Sequence, residues 1–166
     1  MKPSRVLTPK EQILRVREFE FATTLRVLKA YPEDKLEMRP AEKSRSTREL
    51  INTFIAEENV CGAAVRGEPI SAPVGQGLPD TLLGLLETLN RRHDEVQTAI
   101  AQASDETMDG AIDFYGHQLT VREVLWAELH DQIHHRGQFS VYLRLAGAKV
   151  PSIYGPTADE PADRQN

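Results

Sequence analysis

The stretch TVREVLWAELHDQIHHRGQFSVYLRLAG, residues 120–147, decides the fold. Its first four residues match the S/T-x-x-E capping box, in which the first hydroxyl group and the last carboxylate satisfy free backbone amides at the start of a helix. Apolar residues follow with helical spacing, and Gly147 is a typical residue for closing a helix. We therefore predict a long helix from Val121 to about Ala146.

Two further capping boxes, Thr8 to Glu11 and Ser46 to Glu49, each precede a run of apolar residues with helical spacing. They predict helices from about Pro9 to Ala30 and from about Thr47 to Arg66. A third apolar-periodic run predicts a helix from near Pro79 to about Ala103.

Four helices of roughly twenty residues joined by long loops predict an all-α fold, a single four-helix bundle over residues 1–150. Residues 67–77 contain two prolines and three glycines and should form a loop. Residues 104–119 are predicted to be irregular, with residues 114–117 folded back over the end of the bundle. The proline-rich tail, residues 151–166, should be extended or disordered.

The composition excludes several classes of partner. The chain has 20 Lys and Arg against 25 Asp and Glu, a net charge of −5, and no basic stripe that would bind nucleic acid. A single cysteine, Cys61, rules out an internal disulfide and favours a reducing, cytoplasmic setting. No apolar stretch is long enough for a bilayer span, so we expect no membrane partner.

The last predicted helix carries two pairs of potential metal ligands, each four residues apart and therefore on one face. One pair is Asp131 with His135, and the other is His130 with His134. Imidazole and carboxylate groups are common ligands of divalent transition metals. The apolar residues at both ends of this helix phase Asp131 and His135 toward the interior. The strip that carries His130 and His134 is also partly apolar, so that pair remains the alternative.

Polar residues also interrupt the apolar stripes of the other helices. Thr53 and Glu57 share one face of the second predicted helix, and His93 lies on the apolar stripe of the third. We predict a divalent-metal site with ligands Glu57, Asp131 and His135, with Thr53 nearby and His93 or His134 as a further ligand. The simpler interpretation of His93 is a core or boundary histidine with its own hydrogen bonds. The arginines of the first helix, including Arg17, are predicted to form a solvated face.

Three segments carry a family resemblance. Residues 130–138, residues 139–147 and Val150–Pro156, with their His-Arg-Gly-Gln and Tyr-Gly-Pro elements, resemble the C-terminal signature of the DinB/YfiT-like (damage-inducible-type) superfamily of four-helix bundles. Residues 48–58 resemble the second-helix motif of that family. The resemblance implies a homodimer that binds one divalent metal, zinc or nickel. It also implies activity as a metal-dependent hydrolase or as a low-molecular-weight thiol transferase or isomerase.

The resemblance also implies where the metal ligands would lie. The family uses three histidines, one from the second helix and two from the last, and these positions fall at Thr53, Asp131 and His135. This chain departs from the pattern at two of the three. Two hypotheses follow: an enzyme in which Glu57 completes the metal site for a small-molecule or thiol substrate, or a non-catalytic, stress-related bundle with a degenerate metal site that acts as a dimer or small-molecule binder.

Overall fold

Four long helices and one small antiparallel hairpin make up the computed structural model, which describes residues 5–70 and 77–161. The prediction of a four-helix bundle is confirmed. A 3-10 turn at Glu33–Lys35 lies between the first two helices. In chain order the elements are α1 (Pro9–Lys29), α2 (Thr47–Arg66), α3 (Leu82–Gln102), the short α4 (Asp105–Asp109), β1 (Ala111–Phe114), β2 (His117–Thr120) and α5 (Val121–Leu145).

The four long helices pack as a square. Helix α2 packs against α3 and α5, and α1 packs against the same two helices. Helices α1 and α2 therefore occupy opposite corners, as do α3 and α5. This arrangement makes α2 and α5 neighbours, which is what brings their polar side chains together.

Local capping fixes where the helices begin and end. All three predicted capping boxes are present, with reciprocal bonds between hydroxyl, carboxylate and backbone. Helix α2 is closed by Gly67, whose φ of 68° lies in the left-handed region that glycine adopts without strain. The third helix begins at Leu82, not near Pro79, because the hydroxyl group of Thr81 accepts from the Gly84 amide and caps it there.

The prediction of an irregular segment at residues 104–119 is wrong. Ser104 caps α4, and strands β1 and β2 then pair from Ala111 with Thr120 to Phe114 with His117. The turn uses Tyr115 and Gly116, both at positive φ, which matches the twist of a two-residue hairpin. The side of the hairpin that carries Phe114 packs on the bundle, whereas the turn itself is exposed to solvent.

The C-terminal tail contains no helix or strand over its described residues, but it is attached to the bundle. Arg26 of α1 donates to the carbonyl of Ser152 at 2.6 Å, and Arg144 of α5 pairs with Asp159. The hydroxyl of Tyr154 reaches a buried ion pair between Glu20 and Arg136. The predicted loop at residues 71–76 and the end of the tail, residues 162–166, lie outside the described residues.

The interior consists of two apolar clusters with a polar layer between them. This arrangement confirms that polar residues interrupt the middle of the stripe on α5. One cluster is built around Phe21, Leu28, Leu50, Phe54, Leu85, Leu89, Phe139 and Leu143, and the other around Ile13, Val60, Cys61, Val96, Ile100, Met108, Val124 and Leu125.

Within the described ranges, none of the helices has the length and apolarity that a membrane span requires.

Candidate metal centre

One part of the polar layer is an ion pair that is shielded from solvent. Arg17 of α1 donates through Nη2 to Oε2 of Glu58 of α2 at 2.7 Å, and both side chains are at most 1% exposed. Arg17 was predicted to lie on a solvated face, and that prediction is wrong. The guanidinium group is tolerated inside because it meets a carboxylate there, whereas an unpaired buried charge costs several kcal/mol.

His93 of α3 and Gln132 of α5 complete this network. They lie 3.2 Å and 3.0 Å from Oε1 of Glu58. The His93 ring also stacks on Phe21, with the ring centroids 3.7 Å apart. Burial alone would raise the pKa of Glu58, but Arg17 and the hydrogen bonds from His93 and Gln132 bring it below its ordinary value. Glu58 is therefore a charged structural group, and His93 behaves as a core histidine.

The second part of the layer opens toward solvent between α2 and α5. Oε1 of Glu57 lies 2.6 Å from Nδ1 of His135, and both residues are buried. Oδ2 of Asp131, one turn before His135 on α5, lies 3.8 Å from the same nitrogen. The other carboxyl oxygen of Glu57, Oε2, is buried without a hydrogen-bond partner. These three side chains form a mixed carboxylate and imidazole cluster.

Asp131 lies at the rim of this cluster. Its side chain is 54% exposed, so it does not occupy the interior stripe that the apolar pattern predicts. The innermost positions of α5 belong instead to Gln132 and Arg136, which are buried because Glu58 and Glu20 are their partners. Asp131 therefore lies where a molecule from solvent can reach it.

Arg45 approaches the same histidine from the connection that precedes α2. Its Nη1 lies 3.2 Å from Nε2 of His135 and 3.2 Å from Oγ1 of Thr53. Thr53 is half-buried and donates its own hydrogen to the Glu49 carbonyl. The predicted site did not include Arg45, which precedes the helix and so falls outside any helical periodicity. Its position next to the capping residue Ser46 was the one available signal.

The pKa of Glu57 is raised, whereas the pKa of its neighbour on α2, Glu58, is lowered. Burial raises the pKa of Glu57 to about 9, and the negative charges of Asp131 and Glu58 add to that effect. Burial and the charges of Glu57 and Asp131 likewise raise the pKa of Glu128 to about 8. Burial lowers the pKa of His135, so its imidazole is neutral near pH 7. Shifts in opposite directions within one cluster are a common feature of functional sites.

The remaining predicted histidines are not part of this three-residue cluster, although the His134 ring packs edge-on against the His135 ring, with the centroids 5.3 Å apart. His130 and His134 are both exposed on α5, with His130 beside Trp126 and His134 within 3.2 Å of Nε2 of Gln138. His93 is bound to Glu58 in the shielded part of the layer. Of the seven predicted site residues, the structure therefore brings Glu57, Asp131 and His135 together, with Thr53 linked to them through Arg45.

The cluster suits a divalent cation. Among the described residues, Glu57, Asp131 and His135 form the one group of three or more His, Cys, Asp or Glu residues whose potential ligand atoms all lie within 4.8 Å of one another. Two carboxylates and an imidazole are a donor set for zinc, nickel or iron. A cation would also provide a partner for the orphaned Oε2 of Glu57 and offset the repulsion between the carboxylates. The residues present therefore fit a metal ion.

Comparison with known proteins gives the family. The model of the DinB family matches residues 6–166, and the chain belongs to that family. It is 42% identical over 65 residues to the uncharacterized protein YrdA of Bacillus subtilis, an alignment that spans 39% of each protein. It is 28% identical over 119 residues to the uncharacterized protein YjoA of the same organism, which covers 69% of this chain and 76% of YjoA.

Two crystal structures of DinB-like proteins share the fold. The structure of YjoA from Bacillus subtilis aligns with a TM-score of 0.67 at 20% identity, over 86% of this chain and 96% of that one. A DinB-like protein from Bacillus cereus aligns with a TM-score of 0.71 at 21% identity, over 87% of this chain and 97% of that one. At this level of identity the likeness supports the bundle fold and carries no information on activity.

Proposed function

We propose that this DinB protein binds one divalent transition metal ion, zinc or nickel, through Glu57, Asp131 and His135. We propose further that it acts as a metal-dependent hydrolase or low-molecular-weight thiol transferase in a reducing, cytoplasmic setting. The observation that carries the proposal is Oε2 of Glu57, a buried carboxyl oxygen without a hydrogen-bond partner that lies next to two other potential ligands. A bound metal would lower the pKa of a coordinated water or thiol and stabilise negative charge.

The three residues of the site have different roles in this proposal. His135 and Glu57 are held by the packing of α2 against α5, so their side chains have little freedom to rearrange. Asp131 is exposed and marks the side from which a small substrate would enter. The nucleophile would come from solvent or from a thiol substrate, because Cys61 is fully buried and its burial raises the pKa of the thiol to about 12.

A second candidate function is favoured by Arg45. Its guanidinium already supplies a positive charge to His135, at 3.2 Å from Nε2. In this alternative, the chain has replaced metal binding by an internal cation and serves as a non-catalytic stress-related bundle that binds a small molecule or pairs as a homodimer. Light scattering on the purified protein would measure the oligomeric state in either case.

Metal analysis of untagged protein tests the primary proposal. We expect stoichiometric zinc or nickel in the wild type, loss of that metal in His135→Ala, and retention in the control His134→Ala. The control removes an exposed imidazole from the adjacent position of the same helix. Added zinc should raise the melting temperature of the wild type and of the control, since a ligand that binds the folded state stabilises it. Equal metal content in both variants would disprove the ligand assignment.

Activity distinguishes the two candidate functions. The metal-loaded wild type should hydrolyse a chromogenic ester or transfer a small thiol to an aryl electrophile, and His135→Ala should be inactive. Metal that binds without turnover of either substrate class would favour the non-catalytic alternative.

A further inference from the structure

The guanidinium group of Arg45 lies against Nε2 of His135, a nitrogen atom that could otherwise bind a metal ion. Arg45 Nη1 lies 3.2 Å from Nε2 of His135 and the same distance from Oγ1 of Thr53. No other arginine contact to the cluster is present among the described residues. The contact joins residues 90 positions apart in the chain, so it is a product of the tertiary fold.

The backbone of Arg45 is held by neighbouring residues, whereas its side chain is not packed in the core. The hydroxyl of Tyr142 donates to the Arg45 carbonyl at 2.8 Å, and the next residue, Ser46, is the N-cap of α2. The side chain therefore starts from an anchored position next to the site. Arg45 is itself exposed, so the guanidinium can swing into water without breaking any packing of the core.

The contact with Arg45 determines which ring nitrogen of His135 carries the hydrogen. A guanidinium group has only donors, so Nε2 of His135 must present its lone pair to Arg45. The single hydrogen of the neutral ring is then on Nδ1, where it is donated to Oε1 of Glu57. Both nitrogens are thereby engaged, and neither is free to bind a metal ion.

Arg45 conflicts with a metal at either nitrogen. A metal on Nε2 would take the place of the guanidinium. A metal on Nδ1 would move the ring hydrogen to Nε2, where it would face an N–H of Arg45. In both cases the guanidinium must withdraw, and the withdrawal also removes a positive charge from a cation site.

We propose that the guanidinium group of Arg45 contacts the imidazole of His135 in the metal-free protein and is displaced when a divalent metal binds. This competition between Arg45 and the metal ion sets the metal affinity of the site. The inference rests on the proposed metal-binding function. Arg45 is not one of the proposed ligands, yet it determines the metal concentration at which the site is filled.

Metal affinity in Arg45→Met provides the test, measured for zinc and for nickel by competition with a chromophoric chelator. Loss of the charge-assisted contact should lower the Kd by about tenfold or more relative to the wild type. The matched control is Arg39→Met, which removes a positive charge from the same connection but is paired with Glu49 and not with His135. The control should keep the wild-type Kd within about twofold.

The tautomer of His135 in the metal-free protein gives a readout that does not require metal. Nitrogen NMR should find Nδ1 protonated in the wild type and in Arg39→Met, and a mixture of tautomers in Arg45→Met. Equal Kd values for wild type and Arg45→Met would overturn this inference and leave the proposed metal binding intact. Absence of metal binding from all variants would overturn both proposals. Protonation on Nε2 in the wild type would disprove the Arg45 contact itself.

Discussion

Oε1 of Glu57 and Nδ1 of His135 lie 2.6 Å apart, between a shielded ion pair on one side and solvent on the other. Glu57 belongs to α2 and His135 to α5, so the contact depends on the packing of these two helices. The adjacent residue, Glu58, has its charge satisfied by Arg17, while Glu57 keeps one oxygen without a partner. This contrast between consecutive carboxyl groups underlies the first two predictions.

Stability of the metal-free protein should fall as the pH rises, and Glu57→Gln should reduce the fall. The carboxyl pKa is about 9 in the folded protein and near 4.5 when the chain is unfolded. Between these values the unfolded state has lost a proton that the folded state retains, so unfolding becomes easier by up to about 1.4 kcal/mol per pH unit. Urea unfolding from pH 5 to about pH 9 measures the slope. The control Glu42→Gln removes an exposed carboxyl and should keep the wild-type slope.

Metal binding near pH 7 should release about one proton, because Glu57 must ionise to act as a ligand. The affinity should therefore increase as the pH rises toward the pKa of Glu57. Calorimetric titrations with zinc in two buffers of different ionisation enthalpy measure the proton count. Binding heats that do not depend on the buffer would show that Glu57 is already ionised or is not a ligand.

Arg17→Met should destabilise the protein by about 3–5 kcal/mol, since it leaves Glu58 as a buried carboxylate without its cationic partner. The control is Arg15→Met, an exposed position two residues earlier on α1, for which we expect a change within about 0.5 kcal/mol. Chemical denaturation of the three proteins gives the comparison. A loss below about 1 kcal/mol for Arg17→Met would mean that the ion pair is not formed in solution.

Tyr154→Phe should weaken the attachment of the C-terminal tail. The hydroxyl donates to Glu20 at 2.7 Å and accepts from the buried Arg136, so its removal should cost about 1–2 kcal/mol. Tyr115→Phe, at the exposed turn of the hairpin, is the matched control and should be neutral. Limited proteolysis of the tail, together with denaturation, measures both effects. Equal tail cleavage in the two variants would contradict the role of Tyr154.

Much of the fold was predictable because the signals are local. Each capping box combines a hydroxyl and a glutamate three residues apart, and all three gave a helix start at the predicted residue. The hairpin between α4 and α5 was missed because its turn, Tyr115 and Gly116, does not carry the common asparagine-glycine or aspartate-glycine signal. The late start of α3 was missed because Thr81 is not part of a full capping box.

The candidate centre was predictable only in part. The spacing of Asp131 and His135 on one helix and the position of Glu57 on another pointed to the three residues that the fold brings together. The spacing did not reveal that Asp131 is at the rim, because Gln132 and Arg136 look like surface residues until their buried partners are known.

The sequence by itself determined the helices, their ends and the existence of a polar interruption in the stripe of α5, since these depend on residues a few positions apart. Only the tertiary structure decided which polar groups are neutralised and which are left available. Arg17 reaches Glu58 across 41 residues and Arg45 reaches His135 across 90. The free energy of burying a charge depends on such distant partners, and helical periodicity does not identify them.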